Sequence, residues 1–564
     1  MMLSTPPLPN PRTAINQGID PEDSLVVAHT QVYDNLLADI STFITQENPN
    51  ITLDPYGTAP LSLYIGLWSE TAEIVNITVV DENLLAPALN FTQEISVGVN
   101  LIPVAGLLPD TINIITLESS LGVNNYSTLT KPLPPTDAQD PLGYDLFPQI
   151  TLKKPVDNPA TLADGLYFIS CFDRNNLALD YNANVRWFTV KDIPSNNLLR
   201  IANGHFLSSA VAQDNYLKMY EFDMIGRIHT MYLLDNALHH SLYQQSNGLL
   251  TGASEYALGT RPDGGTSLED GVSLIDLNTG LETAYYDMAK VLDISRATRP
   301  SNAPSTDGSI DWLHINQCYI NETNNILVTS GRNQSAVFGV DVATSILRFI
   351  MGTHEAWASD YLDYLLIPVD GTGTPLYDFT DPNDVNEANQ VFWNWGQHNV
   401  LEIHNDAANI LEISIINNGN YRSRDDALSI APWNNQSRIG HYRIDLNTMT
   451  VQLLSEYESG SEGYSSLCGA KQIMSNGNIV VCFGGATFDG TGLAFTCDPG
   501  FSDVDYAVWD GSAEGKLPLR EMDAEGNILV DITVGSGLAR TAADSNMYRY
   551  NITCFRAYKL PLFG

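Results

Sequence analysis

Residues 312–331 read WLHINQCYINETNNILVTSG, and residues 396–415 read GQHNVLEIHNDAANILEISI. Each stretch holds a histidine, an apolar-rich run, a polar turn and a second apolar run, the signature of a β-hairpin. His314 precedes Ile326 by 12 positions, and His398 precedes Ile410 by 12. A hairpin copied with the same interval is a repeat unit, and a repeat has to be recognised before a fold is assigned.

Working outward from these two copies, similar units of roughly 50–80 residues recur from about residue 160. They begin with GLYFIS…LALDYNANVRWFTV, LLRIANGHFLSS…YLKMYEFDMIGRIHTMYLL and HHSLYQQSNGLLTGAS…VSLIDLNTGLETAYY; the two hairpins above and AKQIMSNGNIVVCFGG…NILVDITV complete them. Six units of about four strands each predict an all-β chain whose main body is a six-bladed β-propeller, since radial repetition leaves only short sheet edges. The C-terminal YRYNITCFRAYKLPLF is expected to supply an outer or ring-closing strand. Upstream, LSLYIGLWS, AEIVNITVV, EISVGVNLIPVAGL and INIITLES fall at the spacing of a β-sandwich. Three sections follow: a Pro-rich tail over 1–30 leading into a short helix around VVAHTQVYDNLLADISTFI, an N-terminal β-sandwich domain over 31–155, and the propeller over 156–564.

The chain has 564 residues with 44% hydrophobic and 16% charged, a globular composition. Its 66 acidic against 27 basic residues give a net charge of −39, a field that repels nucleic acid and anionic membrane. The N-terminal MMLSTPPLPNPRTAINQGIDPEDS lacks the basic start and apolar core of a secretory signal, and no run approaches the ~20 apolar residues of a membrane helix. A soluble chain is expected, either cytosolic or relieved of a leader. Six cysteines without CxxC spacing argue against a zinc knuckle or a thioredoxin-type pair. A Cys482–Cys497 bridge across a loop is left open.

In a propeller the innermost strand of each blade lines the channel, so equivalent positions in successive blades converge on the axis. Three repeats carry histidine there: His239/His240, His314 and His398. The shorter turn of that repeat leaves open which of the adjacent pair faces inward, and His240 is the preferred choice. Folding the 312–331 hairpin about Thr323 also brings Arg332 opposite His314. Three imidazoles would suit zinc, but a guanidinium repels a divalent cation and suits an oxyanion. A tetrahedral sulfate or phosphate forked by Arg332, with one imidazole attacking or moving a proton, is the favoured chemistry, and no metal or other cofactor is called for. The other histidines, His29, His205, His229, His354, His404 and His441, lie outside this pattern and are read as structural or surface residues.

DWLHINQCYINETNNILVTSGRNQSAV, FWNWGQHNVL followed by ISIINNGNYRSR, the HH of LHHSLY and the terminal FRAYKLPLF together resemble the aryl-sulfate sulfotransferases, a bacterial family that works without the nucleotide sulfate donor. NPNITLDPYGTAPLSLYIGL and VNLIPVAGLLPDTINIITL resemble that family's sandwich domain, so the similarity runs from about residue 45 onward. The resemblance implies ping-pong transfer of a sulfuryl group from a phenolic sulfate donor to a phenolic acceptor. It implies His398 as the nucleophile that becomes sulfohistidine, His314 and Arg332 as the pair holding the sulfuryl oxygens, and His239/His240 as the general acid/base. It also implies a periplasmic or secreted protein and admits a homodimer. Family members commonly follow the HH with an acidic residue, whereas Ser241 stands here. Trp312, Phe392, Trp393 and Trp395, adjacent to the key histidines, are candidates to touch the substrate ring, although strand alternation can turn only some inward. Asn418 and Arg422 are candidates to shape the pocket or to hold a turn. Two other classes stay open: a metal-dependent hydrolase or lyase on the same scaffold, and an extracellular binding propeller without turnover.

Overall fold

A computed structural model describes residues 17–136, 147–171, 175–190, 193–194, 197–209, 217–255, 270–299, 310–403, 407–460, 464–488, 494–495, 512–535, 540–541 and 554–563. The sandwich is built of two antiparallel sheets. One orders Asn50–Leu53, Ser62–Ser69 and Gly98–Ala105; the other orders Leu89–Ile95, Glu73–Asp81, Ile112–Ser119 and Gly122–Leu129. Alternation along Glu73–Asp81 turns Val75, Ile77 and Val79 inward against Leu63, Ile65, Val104 and Leu117. The helix Ser24–Ala38, capped by the Asp23 carboxylate on Leu25 N, packs its buried Val26 and His29 between sandwich and propeller.

Six sheets then follow in chain order, each running from an inner to an outer strand. Blades 3 and 4 are uninterrupted: Ala237–Gln244, Leu249–Glu255, Gly271–Asp276 and Leu281–Asp287, then Ile315–Asn321, Ile326–Gly331, Ala336–Asp341 and Leu347–Gly352. Blade 5 starts at His398–Ile403 and blade 6 at Ala470–Ile473. The innermost strands of blades 3, 4, 5 and 6 touch in that order, and the last touches Cys554–Leu560, which closes the circle. The six-bladed architecture read from the repeats is thus the observed one.

Two pairings lock the ring. The C-terminal strand Cys554–Leu560 is the innermost strand of blade 1, hydrogen-bonded to Leu166–Cys171, so it is ring-closing and inner rather than outer. Gln149–Lys154 adds to the outer edge of blade 6 beside Ile528–Gly535, so this strand, placed within the 31–155 section by sequence, pairs with the propeller. Glu521 sits at the closure, fully buried, accepting from Lys559 Nζ at 2.6 Å, Tyr167 Oη at 2.5 Å and Asn478 Nδ2 at 2.7 Å. Arg186, also buried, donates to Gly106 O and Pro87 O and ties blade 1 to the sandwich. Cys482 is a buried free thiol; Cys497 and His404 lie outside the described residues.

Candidate functional site

The inner strands do not start as regular β-structure. His240, His314 and Asn399 have left-handed backbones, with φ of 53°, 55° and 50°, and the ladders shift register between Leu238 and Leu242, between Ile315 and Gln317, and between His398 and Leu401. Left-handed conformations at non-glycine residues cluster at functional sites, and bulges re-aim side chains. Here they occur at one level of three consecutive blades, turning polar side chains toward the axis.

His398 is buried, and its Nδ1 faces two acceptors: Asn418 Oδ1 at 2.8 Å and Gly396 O at 3.1 Å. A carbonyl oxygen only accepts, so Nδ1 carries the proton. The Asn418 amide cannot reverse without loss, because its Nδ2 donates to Ser465 O at 2.8 Å and to Cys468 O at 3.0 Å. The lone pair of the neutral ring therefore resides on Nε2. Burial, reinforced by the charge of Arg332 and by His240 and His314, holds the His398 pKa well below the ordinary histidine range, against the Asn418 hydrogen bond that opposes the shift.

Arg332 begins a short turn after the strand Ile326–Gly331, and its backbone N–H donates to His314 O at 3.1 Å, the juxtaposition expected from the hairpin. Its Nη1 donates to Asn333 Oδ1 at 3.0 Å, while Asn333 Nδ2 donates to Asp311 O at 2.9 Å. Asp311 Oδ2 in turn accepts from His314 Nδ1 at 2.9 Å, which leaves His314 Nε2 on the far side of the ring. The His240 and His314 ring centroids lie 4.6 Å apart, and the His239 ring meets His240 edge-on at 4.9 Å. His240, His314, Arg332 and His398 thus gather at one place, with His239 behind His240. Ser241 is buried one residue on; its Oγ accepts from Arg556 Nη2 at 3.0 Å, and Arg556 also reaches Gln317.

The aromatic candidates do not join them. Trp312 is 2% exposed, in the core between blades 3 and 4, with its indole N–H on Arg296 O at 2.9 Å. Phe392 and Trp393 pack into the blade 4–5 core, and Trp395 is fully buried with its N–H on Asn389 O at 2.7 Å. Trp312, Phe392 and Trp395, the candidates for the substrate ring, are thus packed in the protein interior. Arg422 is likewise a buried brace, donating to Asn435 Oδ1 at 2.8 Å and Gln436 O at 2.7 Å. Burial lowers its pKa to about 10. Asn418 alone of the pocket-shaping candidates reaches the cluster.

Sequence reading missed Asp311 and Asn333. Asp311 was within sight, three residues before His314; Asn333 directly follows Arg332, but its link to the Asp311 carbonyl depends on the turn.

The family described as Arylsulfotransferase (ASST) matches residues 151–542, and the Arylsulfotransferase Ig-like domain matches residues 50–136. The arylsulfate sulfotransferase AssT of Escherichia coli is 25% identical over 308 residues, covering 47% of this chain and 49% of that protein. The chain thus spans about half the length of the curated relative it matches. Among solved structures, the hydrazine synthase of Kuenenia stuttgartiensis superposes with a TM-score of 0.27 at 10% identity over 60% of this chain and 66% of that one. The dihydro-heme d1 dehydrogenase NirN gives 0.28 at 9% identity over 73% and 84%. Overlaps that low carry no functional argument.

Proposed function

The chain belongs to the arylsulfotransferase family, and from that premise we propose that it moves a sulfuryl group from a phenolic sulfate ester to a phenolic acceptor through a sulfohistidine on His398. The observation that carries this reading is the tautomer of His398: Nδ1–H held by Asn418 and Gly396, with Nε2 left as a neutral nucleophile.

In the first half-reaction His398 Nε2 attacks sulfur in line with the leaving oxygen. The N–S bond forms as the S–O(aryl) bond breaks, and the departing phenoxide takes a proton from His240. Phenol has a pKa near 10, so protonation of the leaving oxygen lowers the barrier. Arg332 and His314 hold the equatorial oxygens, over which charge spreads by analogy with phosphoryl transfer. In the second half-reaction the acceptor phenol gives its proton to His240, its oxygen attacks sulfur, and the N–S bond breaks to restore neutral His398. Burial supports this course twice: it keeps His398 unprotonated and keeps water from the intermediate.

Incubation with p-nitrophenyl sulfate, with and without phenol, tests the reading. Nitrophenol should be released in catalytic amounts only when phenol is present. Equal release without an acceptor points to a sulfatase, and loss of activity on chelation points to a metal-dependent hydrolase.

A further inference from the structure

We propose that blade 2 carries a divalent-metal site of the zinc class, formed by His205, Asp223 and His229, with Glu221 orienting His205 from behind. The sulfuryl chemistry uses none of these residues.

The sheet itself brings them together. Phe206 pairs with Phe222, so His205 and Asp223 stand just beyond the end of that rung on neighbouring strands. The next ladder shifts between Glu221↔Thr230 and Phe222↔Ile228, which makes His229 the extra residue of a bulge and turns its ring toward Asp223. The three residues offer ligand atoms within 4.8 Å of one another, and they are the group of His, Cys, Asp and Glu side chains that does so among the described residues.

The donor types suit zinc. His205 Nδ1 donates to Glu221 Oε1 at 2.6 Å, leaving Nε2 for an ion in the carboxylate–histidine–metal arrangement common to zinc sites. Glu221 is itself fixed, by Asn203 Nδ2 at 2.9 Å and Tyr232 Oη at 3.0 Å. Asp223 uses Oδ1 for the turn amides of Ile225 and Arg227 and turns Oδ2 to His229 Nε2 at 2.8 Å. Metal–nitrogen and metal–oxygen bonds of about 2.0–2.2 Å put adjacent ligands about 3 Å apart, so a shift of the His229 proton to Nδ1 makes this pair two neighbouring ligands. The imidazoles stack at 4.2 Å and 20°, and at 27% and 24% exposure they have room to turn until their lone pairs converge.

Two nitrogens and one carboxylate, with no thiolate, favour zinc over calcium or magnesium, which take all-oxygen sets. The cluster lines a cleft of about 350 Å³ shared with Tyr33 of the helix, Tyr64 of the sandwich, Phe563 and Arg227, whose guanidinium, held over the Tyr33 ring at 3.8 Å, suits an anionic group rather than water as the fourth ligand that would offset its charge.

The test is calorimetric titration of zinc chloride into the full chain after chelator treatment, with cobalt(II) absorption on the same protein. One ion per chain is expected, with a visible d–d spectrum of nitrogen and oxygen ligation and no thiolate charge-transfer band. H205A and H229Q should each weaken binding at least tenfold, and E221Q by about 10–100-fold. Zinc should raise the unfolding temperature of the wild type but not of H229Q, and arylsulfate turnover should be alike in the two. Absence of saturable binding overturns the site, as does full-strength binding in both H205A and H229Q. If H205A fails to fold, H229Q and E221Q decide by the same criteria.

Discussion

Arg332→Ala separates chemistry from folding. The link between Arg332 and His314 runs through a backbone N–H that alanine keeps, so the turn should survive and the unfolding temperature should move little. What is lost is the guanidinium that the mechanism places on the sulfuryl oxygens. Removing one preorganised donor from an oxyanion site typically costs about 2.7–4 kcal/mol, a 10²- to 10³-fold loss in kcat. A second effect identifies the cause. The Arg332 charge helps hold His398 below its ordinary pKa, so its removal should move the acid limb of the donor half-reaction to higher pH. Arg332→Lys restores the charge without the planar fork, so it should return the acid limb while recovering only part of kcat. Stopped-flow release of p-nitrophenol between pH 4.5 and 8 would measure both. A loss below tenfold with an unmoved acid limb refutes the assignment, and so does a fall in kcat matched by a fall in the folded fraction.

Other outcomes follow from the same geometry. In the wild type, the acid limb should lie below pH 6.5, because buried His398 refuses a proton that free imidazole accepts. The same shift has a stability sign: the unfolded chain binds that proton near pH 6.5 and the folded chain only at lower pH, so stability should fall as pH drops through that window, measurable by urea titration. Asn418→Leu removes one acceptor from His398 Nδ1 and the Asn418 donor from the Cys468 carbonyl, at about 1–3 kcal/mol for a buried group left unpaired, while Ser465 O keeps Ser437 Oγ as a donor at 3.2 Å. It should lower both the urea midpoint and the donor half-reaction. Asp311→Asn should reduce turnover with little change in stability, since it weakens the hold on His314 at a partly exposed site. Lys559→Met leaves Glu521 charged and buried at the ring closure and should cost about 3–5 kcal/mol by chemical denaturation, without a specific change in KM.

The propeller was legible because His314 to Ile326 and His398 to Ile410 repeat one interval, and a hairpin fixes that interval by its turn and ladder. Strand parity was not legible in the same way. Counting alternate residues suggested that some tryptophans beside the histidines would face the axis, but left-handed residues at His240, His314 and Asn399 break the alternation where it matters. Asn418 was visible as a polar residue in NNGNYR, yet its bond to His398 depends on the Ile416 pairing and on two carbonyls near residue 466. Gln149–Lys154 carries no mark of its partner, which lies nearly the whole propeller away in sequence. His205 and His229 passed as surface residues because a bulge, which the sequence does not announce, brings them together.

Intact-mass analysis after mixing the protein with p-nitrophenyl sulfate alone, followed by peptide mapping under mildly alkaline conditions, bears most directly on the covalent step. One sulfuryl adduct per chain, mapped to His398 and discharged by added phenol, is the predicted result. An unmodified chain that still transfers sulfuryl to phenol, or an adduct on another residue, would contradict it.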